Sequence, residues 1–239
     1  MRSMQYLRSL IFTAFLFVFT PLCGVIVAMT AVLPYRMRYA TTSHYAGAVL
    51  WILKVTCGLT HTVEGLDKIP PGNYVAMWKH SSAWETIAMM VLLPPSAWVL
   101  KRELMWVPLL GWGLAALKPI AINRSGGASA INQVVEQGLV RLKSGLWVVI
   151  FPEGTRMAVG GTRRYGTGGA LLAIEAKKQI VPVAHNAGDY WPRRGLLKKR
   201  GTIRVVFGAP IEPIDNDPRA TNEQVQAWIE TKVAELRQG

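Results

Sequence analysis

The chain has 239 residues, which is enough for one large domain with a sizeable hydrophobic core. Hydrophobic residues make up 51% of it and charged residues only 17%, whereas charged residues are about a quarter of an ordinary soluble protein. The net charge of +13 indicates an anionic partner. The sequence lacks the zinc-ligand spacing, the aromatic RNA-binding consensus and the basic groove-binding helix that are typical of nucleic-acid binders. A membrane surface is therefore the favoured partner.

The first predicted element is an uncharged apolar segment, residues 9–33. It is long enough for a membrane-spanning helix, which needs about 20 residues. Pro21, followed by Gly24, predicts a kink or a break in its middle. Three interpretations stay open: a kinked spanning helix, two short helices that enter and leave one leaflet, or a cleaved signal peptide. Two arginines precede the segment and two follow it, and this balance favours ends on the same side of the membrane.

The rest of the chain alternates between short apolar runs and helical patterns. Residues 45–53 are too short to span a bilayer and predict a core helix or a helix lying at the interface. We therefore predict a hydrophobic membrane-anchoring helical segment, 1–58, and an α/β domain, 59–239, with a mixed, mostly buried sheet flanked by helices. Cys23 and Cys57 lie in apolar stretches and are predicted to be buried free thiols.

The predicted strands of this domain are 62–63, 74–78, 97–100, 120–122, 146–151, 180–184 and 203–207, and the predicted helices are 82–93, 128–143, 168–178 and 221–236. The last helix has Thr221 and Gln224 at capping-box spacing. One basic loop, 191–201 (WPRRGLLKKRG), is either a solvated loop or a patch that faces the membrane.

The first chemically informative motif is residues 79–85 (KHSSAWE), where a predicted strand meets a predicted helix. Active-site residues concentrate at such strand ends in α/β sheets. His80 is suited to act as a base near neutral pH, and Glu85 is suited to orient it. Ser82 and Glu85 also have capping-box spacing, so a purely structural role for Glu85 stays open.

A second motif, residues 151–156 (FPEGTR), follows the strand 146–151. Gly154 lets the backbone approach a ligand closely, and Arg156 offers a rigid fork of donors that matches phosphate. An ordinary turn with an exposed arginine is the alternative. Lys101 follows another predicted strand and either reaches the same phosphate or belongs to a solvated charge cluster. Residues 181–183 (VPV) favour a buried structural strand.

Together and in this order, these residues resemble the 1-acyl-sn-glycerol-3-phosphate acyltransferase (lysophosphatidate acyltransferase) family. That family has His-x4-Asp, a Lys-x-Glu-Leu block ending in Arg, Phe-Pro-Glu-Gly-Thr-Arg and a Val-Pro motif, and the match covers residues 74–184. Glu85 departs from the family's Asp by one added methylene. The resemblance implies a glycerolipid acyltransferase-like fold and a membrane-associated N-terminus.

The resemblance also implies a reaction. His80 would take the proton of an acceptor hydroxyl, Glu85 would orient His80, and the hydroxyl oxygen would attack a thioester directly. The expected reaction moves a fatty acyl chain from acyl-CoA or acyl carrier protein to the sn-2 hydroxyl of lysophosphatidic acid, giving phosphatidic acid, with no cofactor and no metal. The residues expected to bind the acceptor are Lys101, Arg124, Glu153, Gly154, Thr155 and Arg156.

The expected partners are membrane lipids, a lysophospholipid acceptor and the thioester donor, with no nucleic acid. The expected location is the bacterial inner membrane, with the catalytic domain facing the cytoplasm. Two alternatives stay open: an acyltransferase for another lysolipid, such as a lyso-aminolipid, and a non-catalytic lipid-binding protein. A serine hydrolase is disfavoured because the sequence has no Gly-x-Ser-x-Gly elbow.

Overall fold

Seven strands form one twisted sheet in the computed structural model, which describes residues 2–238. All seven predicted strands are present. Most of their ends lie within one or two residues of the predicted ends, but the first strand extends beyond its predicted bounds at both ends. Their bounds are β1 Leu59–Glu64, β2 Val75–Trp78, β3 Ser96–Lys101, β4 Ile120–Ile122, β5 Trp147–Ile150, β6 Ile180–His185 and β7 Gly201–Phe207.

The sheet is mixed, as predicted. Its order is β1-β7-β6-β2-β5-β3-β4, and β2 to β6 run parallel to one another. Strand β7 is antiparallel to β6, and β1 is parallel to β7. Because five parallel strands end at the same edge, the residues that follow them are brought together there, which is where α/β sheets place their ligands.

Helices cover both faces of the sheet. Side chains of β5 alternate between the faces, so Val149 joins the core beneath α1 to α4 and Val148 joins the core beneath α5, α6 and α8. The helices are α1 Arg2–Met29, α2 Tyr35–Cys57, α3 Trp84–Leu92, α4 Leu110–Ala116, α5 Ala128–Lys143, α6 Gly168–Ala176, α7 Ala187–Tyr190 and α8 Pro218–Gln238.

The N-terminal segment forms a helical hairpin. Helix α1 runs unbroken through Pro21 over 28 residues, about 42 Å, so the interpretation as two short helices is wrong. Helix α2 covers the predicted 45–53 and extends well beyond it at both ends. The helical stretch Ser3–Val32 is long enough to cross a membrane, and its most apolar 18-residue window has a mean hydropathy of 2.5.

Helix α1 packs along the domain instead of leaving it. Phe12 is fully buried, and Gln5 Nε2 donates to the carbonyl oxygens of Cys57 and Lys198 at 2.9 and 2.6 Å. Farther along, a Cβ on Gly113 would lie 2.7 Å from the carbonyl oxygen of Gly24, so α1 and α4 cross with almost no space between their backbones. Both parts of the predicted 1–58 and 59–239 division therefore contribute to one core.

The outer side of α1 is apolar and exposed to solvent. Exposed apolar side chains continue onto α2 and onto the segment around α4, which is more than a soluble surface normally leaves uncovered. These residues are Phe17, Val18, Leu22, Ile26, Met29 and Val32 around α1, Trp51 and Val55 on α2, and Trp106 and Trp112 around α4.

Two smaller predictions were tested by the described residues. Cys23 and Cys57 are free and buried, as predicted. The capping box at the start of the last helix was wrong, because α8 begins earlier, at Pro218. Asp217 Oδ1 accepts the N–H groups of Arg219 and Ala220 at 3.1 and 2.9 Å, and Asp-Pro is a strong start signal for a helix.

Candidate active site

The candidate site lies at the carboxyl edge of the parallel strands. His80 follows β2, Lys101 ends β3, Arg124 follows β4, and residues 151–156 follow β5. These four segments are therefore neighbours in space because of the strand order, although they are distant along the chain.

His80 and Glu85 form a close pair. His80 lies in the turn before α3, so the two side chains can meet, and His80 Nδ1 is 2.8 Å from Glu85 Oε1. The imidazole also stacks on Phe151, with 4.2 Å between ring centroids. Because the carboxylate accepts the proton of Nδ1, the second ring nitrogen, Nε2, is left to act on a substrate.

Glu85 holds the turn as well as the imidazole. Its Oε1 accepts the backbone N–H groups of Ser81 and Ser82 at 2.9 and 2.8 Å, and Ser82 Oγ accepts the N–H of Trp84. The Glu85 half of the predicted capping box therefore coexists with the His80 pair, whereas the Ser82 hydroxyl bonds to Trp84 and not to the N–H of Glu85. Burial alone would raise the pKa of Glu85, but the hydrogen bonds that it accepts, above all the one from the His80 ring and also the one from the Ser82 N–H, outweigh burial and lower this pKa.

A second histidine, His185, lies behind Glu85 and was not predicted. Its Nε2–H donates to the carbonyl of Lys79 at 2.9 Å, and its Nδ1 accepts the N–H of Ala187 at 3.1 Å. Because Nδ1 accepts a hydrogen bond, it carries no proton, and the two bonds fix a neutral tautomer with the proton on Nε2. Burial lowers the pKa of His185 in the same sense. His185 Nε2 lies 3.9 Å from Glu85 Oε2, an oxygen with no hydrogen-bond partner among the described residues. The sequence signal that could have predicted a role for His185 is its position at the end of the buried strand β6.

The imidazole of His80 lines a cavity of about 560 Å³, called the His80 cavity below. The cavity is bounded by α1 to α4 and by the loops that follow β3, β4 and β5. Its deeper wall is apolar, and a narrow extension of about 50 Å³ continues between α1, α2 and α4. Residues that line both the cavity and its extension are Thr20, Tyr45, Met90, Leu110 and Leu114.

Cations surround the mouth of the His80 cavity. The predicted residues Lys101, Arg124 and Arg156 line it, and so does Thr155. The basic loop 191–201 contributes Arg193 and Arg194, which sequence reasoning had left as either solvated or membrane-facing. A composition-based interpretation of that loop could not show that its arginines fold back over the strand edge.

Glu153 and Gly154, which the resemblance assigns to acceptor binding, do not line the His80 cavity. The Glu153 side chain is fully buried; its Oε1 accepts the His80 backbone N–H at 3.2 Å and lies 3.3 Å from Lys79 Nζ. Gly154 instead uses its carbonyl, which accepts a hydrogen bond from Arg124 Nη1 at 2.6 Å. The reason is that the chain turns inward after Pro152, so Glu153 binds the neighbouring loop instead of a ligand.

Glu153 belongs to a buried polar network that reaches the C-terminal helix. Lys79 Nζ donates to Glu230 Oε1 on α8 at 2.7 Å, and Tyr165 donates to the same oxygen at 2.8 Å. Burial raises the pKa of Glu153 to about 7, and the charge of Lys79 opposes this only in part. The network fixes the loop of His80 to the loop of Arg156.

Comparison with known proteins agrees with this geometry. The family model described as "Acyltransferase" matches residues 60–186, more than half of the chain. The crystal structure of the 1-acyl-sn-glycerophosphate (LPA) acyltransferase PlsC from Thermotoga maritima superposes with a TM-score of 0.82, covering 99% of this chain and 98% of that one, at 19% identity. Fold and site thus define an acyltransferase.

Individual relatives show more specifically which acyltransferase family the chain belongs to. The 1-acyl-sn-glycerol-3-phosphate acyltransferase of Pseudomonas aeruginosa is 40% identical over 99% of this chain and 94% of its own length. The human 1-acyl-sn-glycerol-3-phosphate acyltransferase alpha is 31% identical over 69% of this chain and 60% of its own length. The chain belongs to the 1-acyl-sn-glycerol-3-phosphate acyltransferase family, as its motifs predicted.

Proposed function

We propose that this enzyme transfers a fatty acyl chain from a thioester, acyl-CoA or acyl carrier protein, to the sn-2 hydroxyl of lysophosphatidic acid. The observation that carries the proposal is the His80–Glu85 pair, 2.8 Å apart, on the wall of a cavity whose mouth is ringed with cations. The names of the relatives support lysophosphatidate as the acceptor.

In the proposed step, His80 Nε2 takes the hydroxyl proton as the oxygen attacks the thioester carbonyl. A C–O bond forms, the C–S bond breaks, and the proton passes from the imidazolium to the leaving thiolate. Glu85 stabilises the imidazolium that forms between these events. General-base catalysis of this kind supplies about 10²–10⁴ in rate, so positioning of the two substrates must supply much of the rest.

The cations at the mouth are suited to hold the acceptor's phosphate. Arg156 and Lys101 line the same cavity as His80, so a phosphate bound there keeps a glycerol hydroxyl close to the imidazole. Lys101 Nζ lies 3.2 Å from Glu103 Oε1, and both side chains are about half exposed. Such an exposed ion pair is weak, so a phosphate dianion can displace Glu103 from Lys101.

The membrane placement follows from the apolar outer side of α1. We propose that this helix lies in the bilayer while the domain remains at the interface, with the deep part of the His80 cavity open to lipid chains. Transfer of a chain into water costs about 0.8 kcal/mol per CH₂, so such an arrangement avoids extracting the acceptor.

The acceptor assignment is tested by assaying the purified enzyme on vesicles that contain one of three acceptors: lysophosphatidate, a lysophospholipid with a capped phosphate, or a lyso-aminolipid. Each is assayed with acyl-CoA and with acyl carrier protein. The expected result is rapid product only from lysophosphatidate, with a KM that rises in Arg156→Ala. Product from the lyso-aminolipid alone would show that the acceptor is wrong while acyl transfer is right.

A further inference from the structure

A second cavity, of about 380 Å³, lies on the other face of the sheet from the His80 cavity. Helices α5 and α6 form its sides, and Ile150, whose side chain joins the core beneath those helices, forms part of its floor. The two cavities share Val99, Arg124 and Phe151, so they meet at the ends of β3, β4 and β5. We call it the arm cavity.

The shared wall brings the arm cavity close to the reacting groups. Phe151 carries the stacked imidazole of His80 on one side and lines the arm cavity as well. Gly154, which lines the arm cavity, has a φ of +68° and open space where a Cβ would be, so no side chain obstructs the arm cavity at this position. The two cavities adjoin along Phe151 and Arg124.

The lining of the arm cavity combines two kinds of surface. One wall is apolar, with Ile131 and Val134, and the rim carries the exposed Arg163 and Arg164. No hydrogen bond or ion pair from either guanidinium occurs within residues 2–238. This combination suits a slender, largely uncharged chain that ends in a phosphate.

The acceptor does not match this description. Its phosphate is separated from the reacting hydroxyl by only a glycerol backbone, and the His80 cavity already contains both the imidazole and cations that can bind that phosphate. The thioester donor does match it, because coenzyme A and acyl carrier protein share a 4′-phosphopantetheine arm. If the donor's acyl chain occupies the apolar part of the His80 cavity, its arm must leave in another direction, and the adjoining cavity provides one.

We propose that the arm cavity holds the 4′-phosphopantetheine arm of the donor, with Arg163 and Arg164 binding its phosphate. This inference rests on the thioester donor of the proposed function. The cavity is of the size that holds a small ligand, about 300–1,000 Å³, so the arm fits inside while the nucleotide or carrier protein stays outside.

The test is the double variant Arg163→Ala/Arg164→Ala, with Arg200→Ala/Arg219→Ala as a control that removes two exposed charges elsewhere. The variants are assayed with acyl-CoA, acyl carrier protein and an acyl N-acetylcysteamine thioester, which lacks the phosphate. The expected result is a KM about tenfold higher or more for the first two donors, with the KM for lysophosphatidate and the rate with the third donor unchanged. Titration calorimetry with coenzyme A should show the same loss of affinity without turnover.

An unchanged donor KM, a rise in the KM for lysophosphatidate, or a loss confined to one of two donors that the wild type uses would each overturn the assignment. If the double variant is unfolded, Ile131→Trp, which fills the cavity from its apolar wall, replaces it and should weaken both phosphopantetheine donors. Absence of transfer from every thioester in the wild type would instead refute the proposed function.

Discussion

Glu85 serves two tasks through one oxygen, since Oε1 accepts the His80 ring proton and two backbone N–H groups. We expect Glu85→Gln to keep the backbone contacts while losing the charge that stabilises the imidazolium. Its kcat should fall by about 10²–10⁴, with the KM values nearly unchanged because Glu85 touches neither substrate. Steady-state kinetics of this variant beside the exposed Glu175→Gln checks the result, and equal kcat in the two would contradict the role.

Glu153 gives the protein a pH-dependent stability. Its pKa of about 7 lies above the ordinary value of 4.5, so the folded state binds more protons than the unfolded state between these pH values. Its contribution is therefore full below about pH 4.5 and is lost as the pH rises through 7.

We expect the free energy of unfolding of the wild type, relative to Glu153→Gln, to fall by roughly 1–3 kcal/mol between pH 5 and pH 8. Denaturant titrations at several pH values measure this difference, and Glu175→Gln is the exposed control. A difference that stays constant or grows with pH would show that Glu153 is ionised in the fold throughout.

Among the elements, the crossing of α1 and α4 determines the shape of the His80 cavity. A Cβ on Gly113 would lie 2.7 Å from the Gly24 carbonyl oxygen and 2.8 Å from its Cα. We expect Gly113→Ala to push the helices apart and to cost about 1–3 kcal/mol in the free energy of unfolding, measured in detergent micelles. Gly47→Ala on α2 has open space and should be neutral or stabilising by up to about 1 kcal/mol. Equal stability of the two variants would contradict the close crossing.

The elements that the sequence predicted best are those whose signal is local. Strands such as Ile120–Ile122 and the helix Ala128–Lys143 match their predicted bounds because apolar periodicity and a glycine stop define them. Helix α4 was missed because Gly111 and Gly113 lower its helix propensity, and tertiary contact is what requires them: a Cβ on Gly111 would meet the Met105 carbonyl.

The residues of the candidate site also divide into those that a local motif predicts and those whose position depends on tertiary packing. His80, Lys101 and Arg156 were predicted to lie together because each follows a buried strand within a chemically specific motif, and all three line the His80 cavity. Glu85 was predicted beside His80 from the spacing within one motif, and the two side chains are in contact. The inward direction of Glu153 and the partner of Lys79 on α8 depend on packing across the sheet, which no local pattern contains.

At the scale of the whole molecule, apolar surface and positive charge act together. Phe17 is 77% exposed on α1, and the net charge is +13. We expect Phe17→Glu/Leu22→Glu to lose most of its binding to vesicles that contain anionic lipid, measured by co-sedimentation, whereas Val140→Glu, exposed on α5, should bind normally. Binding of the wild type should weaken with added salt, because each basic residue near the surface contributes about 1 kcal/mol. Equal loss in both variants would show that α1 is not the membrane contact.

The most direct test replaces the imidazole itself. His80→Ala is assayed for acyl transfer to lysophosphatidate in vesicles, beside His44→Ala, which alters an exposed histidine on α2. The account predicts that turnover of His80→Ala falls by at least about 10²-fold while its vesicle binding and thermal stability match those of the control. Turnover equal to that of the wild type would contradict it.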